Sequence, residues 1–234
     1  MLDHIMQTAA FNATKQFESL EKVSQNVANM NTYGFKNVRF DQYLDASNQL
    51  NGTQREDYAQ GSVQVTGRPL DVAIEGPGFL PVTQPDGTTA YTRDGSLALN
   101  ADGYIVSNRG DIVGNGIKIP DNYQEVLIDK TGDVKVKTTA KSDPFKVGHI
   151  DLVRFNNPEG LQSIGYNKLL MSDDSGQPIV DTDSKIKQGN LERSNVNVFY
   201  QVDNILRLNA SVISNFRIVK FSDDLYRQAV NLRQ

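Results

Sequence analysis

The stretch SQNVANMNTYGFK, residues 24–36, decides where the first long helix of this chain ends. It closes an apolar-patterned run and carries three asparagines, Asn26, Asn29 and Asn31, before the sequence turns to Thr32-Tyr-Gly34-Phe. Asparagine side chains satisfy loose backbone groups at helix ends, and glycine is the usual left-handed residue just beyond a last turn. The stretch therefore predicts a helix stop over residues 31–34.

Upstream of this stop, apolar or small residues recur at steps of four and three. The series consists of Leu2, Met6, Ala9, Ala13, Leu20, Val23, Val27 and Met30. Only Gln16 interrupts it. This spacing is typical of a helix that packs one face against another helix.

The C-terminal end has the same four-three spacing. Its series consists of Val198, Val202, Ile205, Val212, Phe216, Val219, Tyr226 and Val230. Asn209 and Asp223 are its polar exceptions, and no proline or glycine follows Gly189. The pattern predicts one helix from about residue 197 to residue 232, with Ser194 as its N-cap or near-cap.

Two such series at opposite ends of one chain predict that the terminal helices pair with each other as a coiled coil. We call the residues expected at this contact the predicted assembly seam. It consists of Leu2, Met6, Leu20, Val23, Val27, Met30, Val198, Val202, Ile205, Val212, Phe216 and Val219.

The middle of the chain, from about residue 63 to residue 187, is patterned as β-structure. Gly87, Gly95, Gly103 and Gly110 follow one another at intervals of eight, eight and seven, with short alternating runs between them. Such spacing predicts a meander of antiparallel strands. The fold class is therefore α+β, with long terminal helices and a central, mainly antiparallel β domain. The expected divisions are a helix in 1–36, an extended linker in 37–66, the β domain in 67–189 and a helix in 190–234.

The composition and motifs exclude several classes of function. Charged residues make up 22% of the chain and the net charge is −4, so nucleic acid is not expected as a partner. Cysteine is absent, which removes disulfides, thiolate catalysis and zinc–thiolate sites. The N-terminal residues lack the pattern of a cleaved secretory signal, and no apolar run of 18 residues occurs.

A search for reactive groups finds no convergent set. His4 and His149 lie far apart, without partners at metal-ligand spacing. The aspartates around Gly176 do not follow the EF-hand order, so turn formation is the better interpretation. No nucleophile elbow, phosphate-binding loop or HExxH motif is present. We expect no catalytic residues, no metal, no cofactor and no small-molecule substrate, and thus no enzyme.

Five stretches, in order, resemble the rod and hook family of flagellar axial proteins. They are NVANMNTYGFK, TGRPLDVAIEGPGFLPV, YTRDGSLALNADGYIV with GNGIKIP, VRFNNPEGLQSIGYNKL, and QGNLERSNVN. The residues that match the two terminal motifs of the family are Asn26, Asn29, Asn31, Thr32, Gly34, Phe35, Gly189, Leu191, Glu192, Ser194, Asn195, Val196 and Asn197.

The resemblance implies a structural subunit of the flagellar rod that assembles helically through its terminal helices and transmits torque. In that family the paired helices form an inner tube and the β domain an outer layer. It further implies export through the flagellar type III apparatus without a cleaved signal peptide, location in the basal body, and partners that are other copies and neighbouring rod proteins. The short segment between Lys36 and Gly67 favours a proximal rod protein.

Other functions remain open from the sequence. The chain could be a distal-rod or short hook-type axial subunit, or a structural protein of a phage tail or baseplate, which shares the same assembly logic. A carbohydrate-acting β protein is disfavoured because tryptophan is absent and no pair of carboxylates stands out.

Overall fold

The computed structural model describes residues 2–46, 49–139 and 142–231, with side chains described from Met6 to Gln228 inside the two long helices. The chain forms two compact units. Unit 1 combines Met1–Asn29, Asn37–Asp57 and Val196–Gln234, and unit 2 combines Met30–Lys36 with Tyr58–Asn195. Two long helices and a mainly antiparallel β domain confirm the predicted α+β class.

Unit 1 contains both long helices and one β-hairpin. Helix α1 spans Leu2–Ala28 and helix α2 spans Val198–Asn231. Between them in sequence, β1 (Asn37–Leu44) and β2 (Leu50–Asp57) pair antiparallel. The segment expected as an extended linker thus contains a two-stranded hairpin.

Contacts of the hairpin with α1 explain why it belongs to unit 1. The backbone N–H of Leu50 donates to Oδ1 of Asn12 at 2.8 Å, and the Gln42 amide donates to the Lys15 carbonyl at 3.4 Å. A two-stranded hairpin alone is marginally stable, so packing on a helix supplies what it lacks.

Unit 2 consists of short strands with one 3₁₀ turn at Pro158–Gly160. The strands are β3 (Val63–Val65), β4 (Val72–Glu75), β5 (Leu80–Thr83), β6 (Thr89–Thr92), β7 (Leu97–Leu99), β8 (Ile105–Ser107), β9 (Ile112–Val113), β10 (Glu125–Ile128), β11 (Asp133–Lys137), β12 (Phe145–His149), β13 (Val153–Arg154), β14 (Gln162–Ser163), β15 (Lys168–Leu170), β16 (Ile179–Val180), β17 (Lys185–Gln188) and β18 (Asn190–Glu192).

The largest sheet has seven strands in the order β14-β15-β6-β5-β9-β8-β7. Because β9 lies between β5 and β8, the strands do not form the simple meander that the glycine spacing predicted. A three-stranded sheet β10-β11-β12 and the pairs β17-β4, β18-β3 and β13-β16 complete unit 2. Every strand pair in the described part of the chain is antiparallel.

One predicted turn glycine has a different role. Gly87, Gly103 and Gly110 adopt positive φ angles in turns, as their spacing predicts. Gly95 does not: a Cβ there would lie 1.7 Å from the carbonyl oxygen of Val72, which it approaches through a backbone hydrogen bond. Glycine is required at position 95 because two backbone segments approach each other closely there. The prediction that Gly95 lies in a turn is therefore wrong.

Two hydrophobic clusters form the core of unit 2. Alternation along the strands produces these clusters, because every second residue of β10 and of β11 points to one buried face. Val126 of β10 and Val136 of β11 lie opposite each other on that face. The larger cluster extends across the sheets, and the smaller one is aromatic, with the rings of Tyr91 and Phe155 4.8 Å apart.

Candidate assembly surface and its supports

The buried face of α1 is made of small and polar side chains. Its buried members recur at steps of three and four and are Ala9, Ala13, Gln16, Ser19, Val23 and Asn26. This is the spacing expected of a helix facing another helix, but large apolar groups are few. Gln16, which interrupts the apolar series in the sequence, lies within this buried face.

Gln16 joins α1 to α2 through both ends of its amide. Its Nε2 donates a short hydrogen bond to Oγ of Ser211, and its Oε1 accepts from Nδ2 of Asn215 at 2.9 Å. Beside it, the rings of Phe17 and Phe216 lie 6.4 Å apart. The polar contact is thus a specific one between the two helices.

Asn26 fixes the last turns of α1 to the start of β1. Its Nδ2 donates to the Val38 carbonyl at 2.7 Å, and its Oδ1 accepts from the Val38 N–H at 2.8 Å, so the amide pairs with that residue as a neighbouring strand would. Its Nδ2 also lies 3.4 Å from Oε1 of Gln201, and Gln201 donates to Asn37 at 3.0 Å. The first asparagine of the motif therefore positions the hairpin.

These contacts show that the helices run antiparallel. Asn26, near the end of α1, meets Gln201 near the start of α2, whereas Gln16 meets Ser211 and Asn215 further along α2.

The predicted assembly seam divides by burial. Val23 and Val212 are buried. Met6, Leu20, Val27, Ile205 and Val219 are half-buried. Met30, Val198, Val202 and Phe216 are exposed. Leu2 is helical in its backbone, but its side chain lies outside the described residues.

The reason for this division is that α2 has two faces that the sequence pattern merged. The buried face of α2 includes the polar residues Gln201 and Ser222 together with Val212. A second, exposed face carries Val198, Phe199, Val202, Leu206, Ile213 and Phe216, which we call the apolar stripe. A series chosen by apolar spacing alone mixes residues of the two faces, because it leaves out the polar residues of the buried face.

The apolar stripe lies along one side of the helix surface. At about 100° per residue, its six members fall within an arc of about 100°. Phe199 is 89% exposed and Leu206 is 64% exposed. Large apolar groups collected on one exposed face mark a surface that binds another molecule. Apolar spacing in the sequence did not identify Phe199, Leu206 and Ile213. A helical wheel that places the polar residues on the buried face would have shown these three residues on a second face.

In unit 2, the C-terminal motif supplies a buried carboxylate. Glu192 accepts hydrogen bonds from Lys36 Nζ at 2.7 Å, Arg93 Nε at 2.9 Å and the Gly61 N–H at 2.8 Å. All three charged side chains are at least 95% buried. Lys36 donates further to the Ala59 carbonyl, so a buried ion cluster joins distant parts of the chain.

The loop Met30–Lys36 belongs to unit 2 and packs closely against it. The Gly34 N–H donates to the Glu192 carbonyl at 2.9 Å, and φ is +69° at Gly34. A Cβ there would lie 2.5 Å from the backbone nitrogen of Asp94, so only glycine fits. Phe35 is buried, and the Tyr33 carbonyl accepts from Asn167 at 2.9 Å.

Other motif residues hold the backbone locally. Asn29 donates to the Gln25 carbonyl at 2.9 Å, and Asn31 accepts from Arg193 at 3.5 Å. Thr32 offers its carbonyl to the N–H of Phe35 at 3.4 Å. The carbonyl of Gly189, where φ is +70°, accepts hydrogen bonds from the N–H groups of Thr66 and Gly67.

The cap of α2 differs from the prediction. Oδ1 of Asn197 accepts from the N–H of Tyr200 at 3.2 Å, the geometry of an N-cap side chain. Ser194 lies in unit 2 with Asn195, whose amide donates to the Ala59 carbonyl at 2.9 Å. Leu191 is buried and Val196 is half-buried. The assignment of Ser194 as the cap is therefore corrected to Asn197.

Several titratable groups of unit 2 lie in ion pairs or hydrogen bonds. His149 lies between Asp133, at 2.7 Å, and Asp151, at 3.4 Å. Hydrogen bonds from Lys146 and then His149 hold the pKa of Asp133 below its ordinary value. Burial raises the pKa of Asp94, against the hydrogen bonds from Ser96.

Among the described residues, no group of three or more histidines, cysteines or carboxylates is arranged to hold a metal ion. Within the same residues, neither long helix has a stretch apolar enough to cross a bilayer.

Comparison with known proteins supplies the family. The model of the flagellar hook protein FlgE/F/G D1 domain matches residues 73–136. The flagellar basal-body rod protein FlgG of Borreliella burgdorferi is 31% identical, with 97% of each chain covered. FlgG of Caulobacter vibrioides is also 31% identical, with 97% of this chain and 98% of that protein covered. FlgF of Caulobacter vibrioides, another basal-body rod protein, is 32% identical with 90% of each chain covered.

The matches to FlgG cover 97% of this chain, and the match to FlgF covers 90% of it. The chain belongs to the family of flagellar basal-body rod proteins.

Proposed function

We propose that this chain is a structural subunit of the flagellar rod and that it joins other copies and neighbouring rod proteins through its terminal helices. The observation that carries the proposal is the apolar stripe of α2, which exposes large apolar side chains along one face. Burial of such a face against a neighbour is favourable by about 25 cal/mol per Å². The family supports the proposal, because its named members are rod proteins.

In this proposal α1 and α2 pair as an antiparallel coiled coil. The hydrogen bonds of Gln16 and the contact of Phe17 with Phe216 support it. Helices α1 and α2 supply the inner-tube helices, and unit 2 supplies the outer β domain. Val23 and Val212 of the predicted assembly seam act within the subunit, and exposed members such as Val202 act between subunits.

Assembly of this kind produces a shaft. A contact between two different faces of the same subunit, repeated from copy to copy, generates a helical stack when it does not close into a ring. Many such contacts in parallel would carry torque along the rod. The chain would work in the basal body and arrive through the flagellar type III export apparatus.

The place of the chain along the rod stays a prediction. The short segment between Lys36 and Gly67 favours a proximal position. Antibody labelling of isolated rods, viewed by electron microscopy, would distinguish label near the base from label near the hook.

The test of assembly compares two neighbouring exposed residues of α2. Ile213 lies in the apolar stripe and Ser214 lies outside it. We expect Ile213→Asp, as the sole copy in cells, to abolish motility and remove rods from basal-body preparations, because it buries a charge in the contact. Ser214→Asp is the matched control and should leave both intact.

Circular dichroism of both purified variants should match the unaltered chain, since neither residue lies in the core. Normal rods and motility with Ile213→Asp would contradict the proposal.

A further inference from the structure

The helix contact in unit 1 has a weak apolar component. Between Ala9 and Ser19, the buried face of α1 presents two alanines, one glutamine and one serine. Contacts of small apolar groups are non-directional, so they do not distinguish one alignment of two helices from another. The three-four spacing of this buried face also nearly repeats after seven residues. One helix could therefore shift by seven residues along the other, which is a slip of about 10 Å.

Gln16 opposes such a slip. In the observed alignment both ends of its amide are satisfied, by Ser211 and by Asn215. A slip of seven residues would place Gln16 opposite Asn204 and Leu208, or opposite Ile218 and Ser222. Either pair contains an aliphatic residue in place of one partner.

Each slipped alignment would therefore leave part of a buried amide without a hydrogen bond. Such a loss disfavours the slipped state by about 5- to 150-fold. Leucine at the same place would impose no such penalty.

A second polar contact agrees with the same alignment. Asn26 follows Gln16 by ten residues on α1, and its partner Gln201 precedes Ser211 by ten residues on α2. The two contacts thus lie in register, about 15 Å apart along the helices. Asn26 is also held to Val38 of β1, so this end of the contact is anchored to the hairpin.

We propose that Gln16, with Ser211 and Asn215, is a positioning group that sets the alignment of α2 on α1, at a cost in stability, and so presents the apolar stripe to neighbouring subunits in one arrangement. Buried polar groups in paired helices can specify register in this way while lowering stability. The second half of the inference rests on the proposed function in assembly; the first half concerns the single chain and does not.

The absence of cysteine permits a direct test by paired spin labels. One pair is placed on exposed residues at the far end, Ala10→Cys with Arg217→Cys, and a second near the anchored end, Ser24→Cys with Asp203→Cys. Distances are measured by pulsed electron resonance on the full chain. In the labelled parent chain each pair should give one narrow distribution.

With Gln16→Leu, we expect both pairs to broaden or to gain a second distance shifted by up to about 10 Å, because α2 slides along α1 as one continuous helix. The thermal midpoint of the helical signal should stay equal or rise. A residue with a merely structural role would lower that midpoint and leave the distances alone. Gln7→Leu, the same substitution at an exposed position of α1, is the control and should change neither quantity.

A single narrow far distance in Gln16→Leu would overturn the proposal. If that variant loses its helical signal, Asn215→Leu, which removes a partner from the other helix, must broaden the far pair, and an unchanged distance would again overturn it. Rod assembly is scored separately: broadened distances with normal rods would refute the link to assembly. Failure of the proposed function itself would appear instead as normal rods with Ile213→Asp.

Discussion

The two units bury different kinds of side chain. The core of unit 2 contains large aliphatic residues that are almost completely buried, such as Ile74, Leu97 and Ile105. The helix contact of unit 1 buries alanine, serine, glutamine and asparagine with the two valines Val23 and Val212, while its largest apolar side chains, such as Phe199 and Leu206, are exposed. Unit 2 therefore has an extensive core of large aliphatic residues, and the helix contact of unit 1 buries few large apolar side chains.

The different buried side chains indicate that the two units obtain their stability from different sources. Apolar burial is the main favourable term in folding, so unit 2 should be the more stable of the two. In the proposed function, unit 1 exposes apolar surface for contacts with neighbours, and we infer that polar groups align its helices. We expect such a subunit to have a stable β domain and helices whose stability rises when neighbours bind.

The largest effect should come from the buried ion cluster of unit 2. Glu192→Gln would leave Lys36 and Arg93 buried without their counter-charge, and loss of one partner of a buried pair costs about 3–5 kcal/mol. Urea unfolding of unit 2 would measure it. Glu75→Gln, at a half-exposed pair with Lys187, should change stability by less than about 0.5 kcal/mol. Equal effects of the two variants would contradict the comparison.

A matched pair of leucines tests the two kinds of surface. Leu97 is fully buried in unit 2, and Leu206 is exposed in the apolar stripe. Leu97→Ala should lower the unfolding free energy by about 2–5 kcal/mol, because it opens a cavity. Leu206→Ala should change it by less than about 0.5 kcal/mol and yet reduce rod formation in cells. A stability loss in Leu206→Ala as large as in Leu97→Ala would show that the stripe is ordinary core.

A smaller effect is expected from acid. The hydroxyl of Thr131 donates to Asp129 at 2.6 Å, and this bond holds the pKa of Asp129 well below its ordinary value. A depressed carboxyl pKa contributes stability that is full above the unfolded value, near 3.9, and is lost as the pH falls through the folded value. Below about pH 4 the urea midpoint of unit 2 should therefore fall more steeply in the unaltered chain than in Asp129→Asn. Parallel profiles of the two would contradict this assignment.

The sequence predicted the fold class and both long helices, because their spacing is regular over many turns and Gly34 marks the left-handed position. It did not predict the strand order, since β9 reaches β5 through long-range packing that local spacing does not encode. It also did not reveal the hairpin at residues 37–57, whose position depends on Asn12 and Asn26.

The candidate surface was predicted only in part, for a physical reason. Apolar spacing identifies buried faces when the buried residues are apolar, and in α2 several are polar, including Gln201 and Ser222. The stripe residues Phe199 and Leu206 lie outside the apolar series found in the sequence, and both are exposed in the structure. Likewise, the ion pairs of Glu192 join residues more than 90 positions apart, so no local pattern could indicate them.

The most direct test of the account is hydrogen exchange, peptide by peptide, on the dissociated chain and on isolated rods. The account predicts that amides of α1 and α2 exchange faster than those of strands such as β5 and β11 in the dissociated chain, through local opening of the less stable unit. In rods, the helices should become as protected as the strands. Helices that are already as protected as the strands in the dissociated chain, with no gain on assembly, would contradict it.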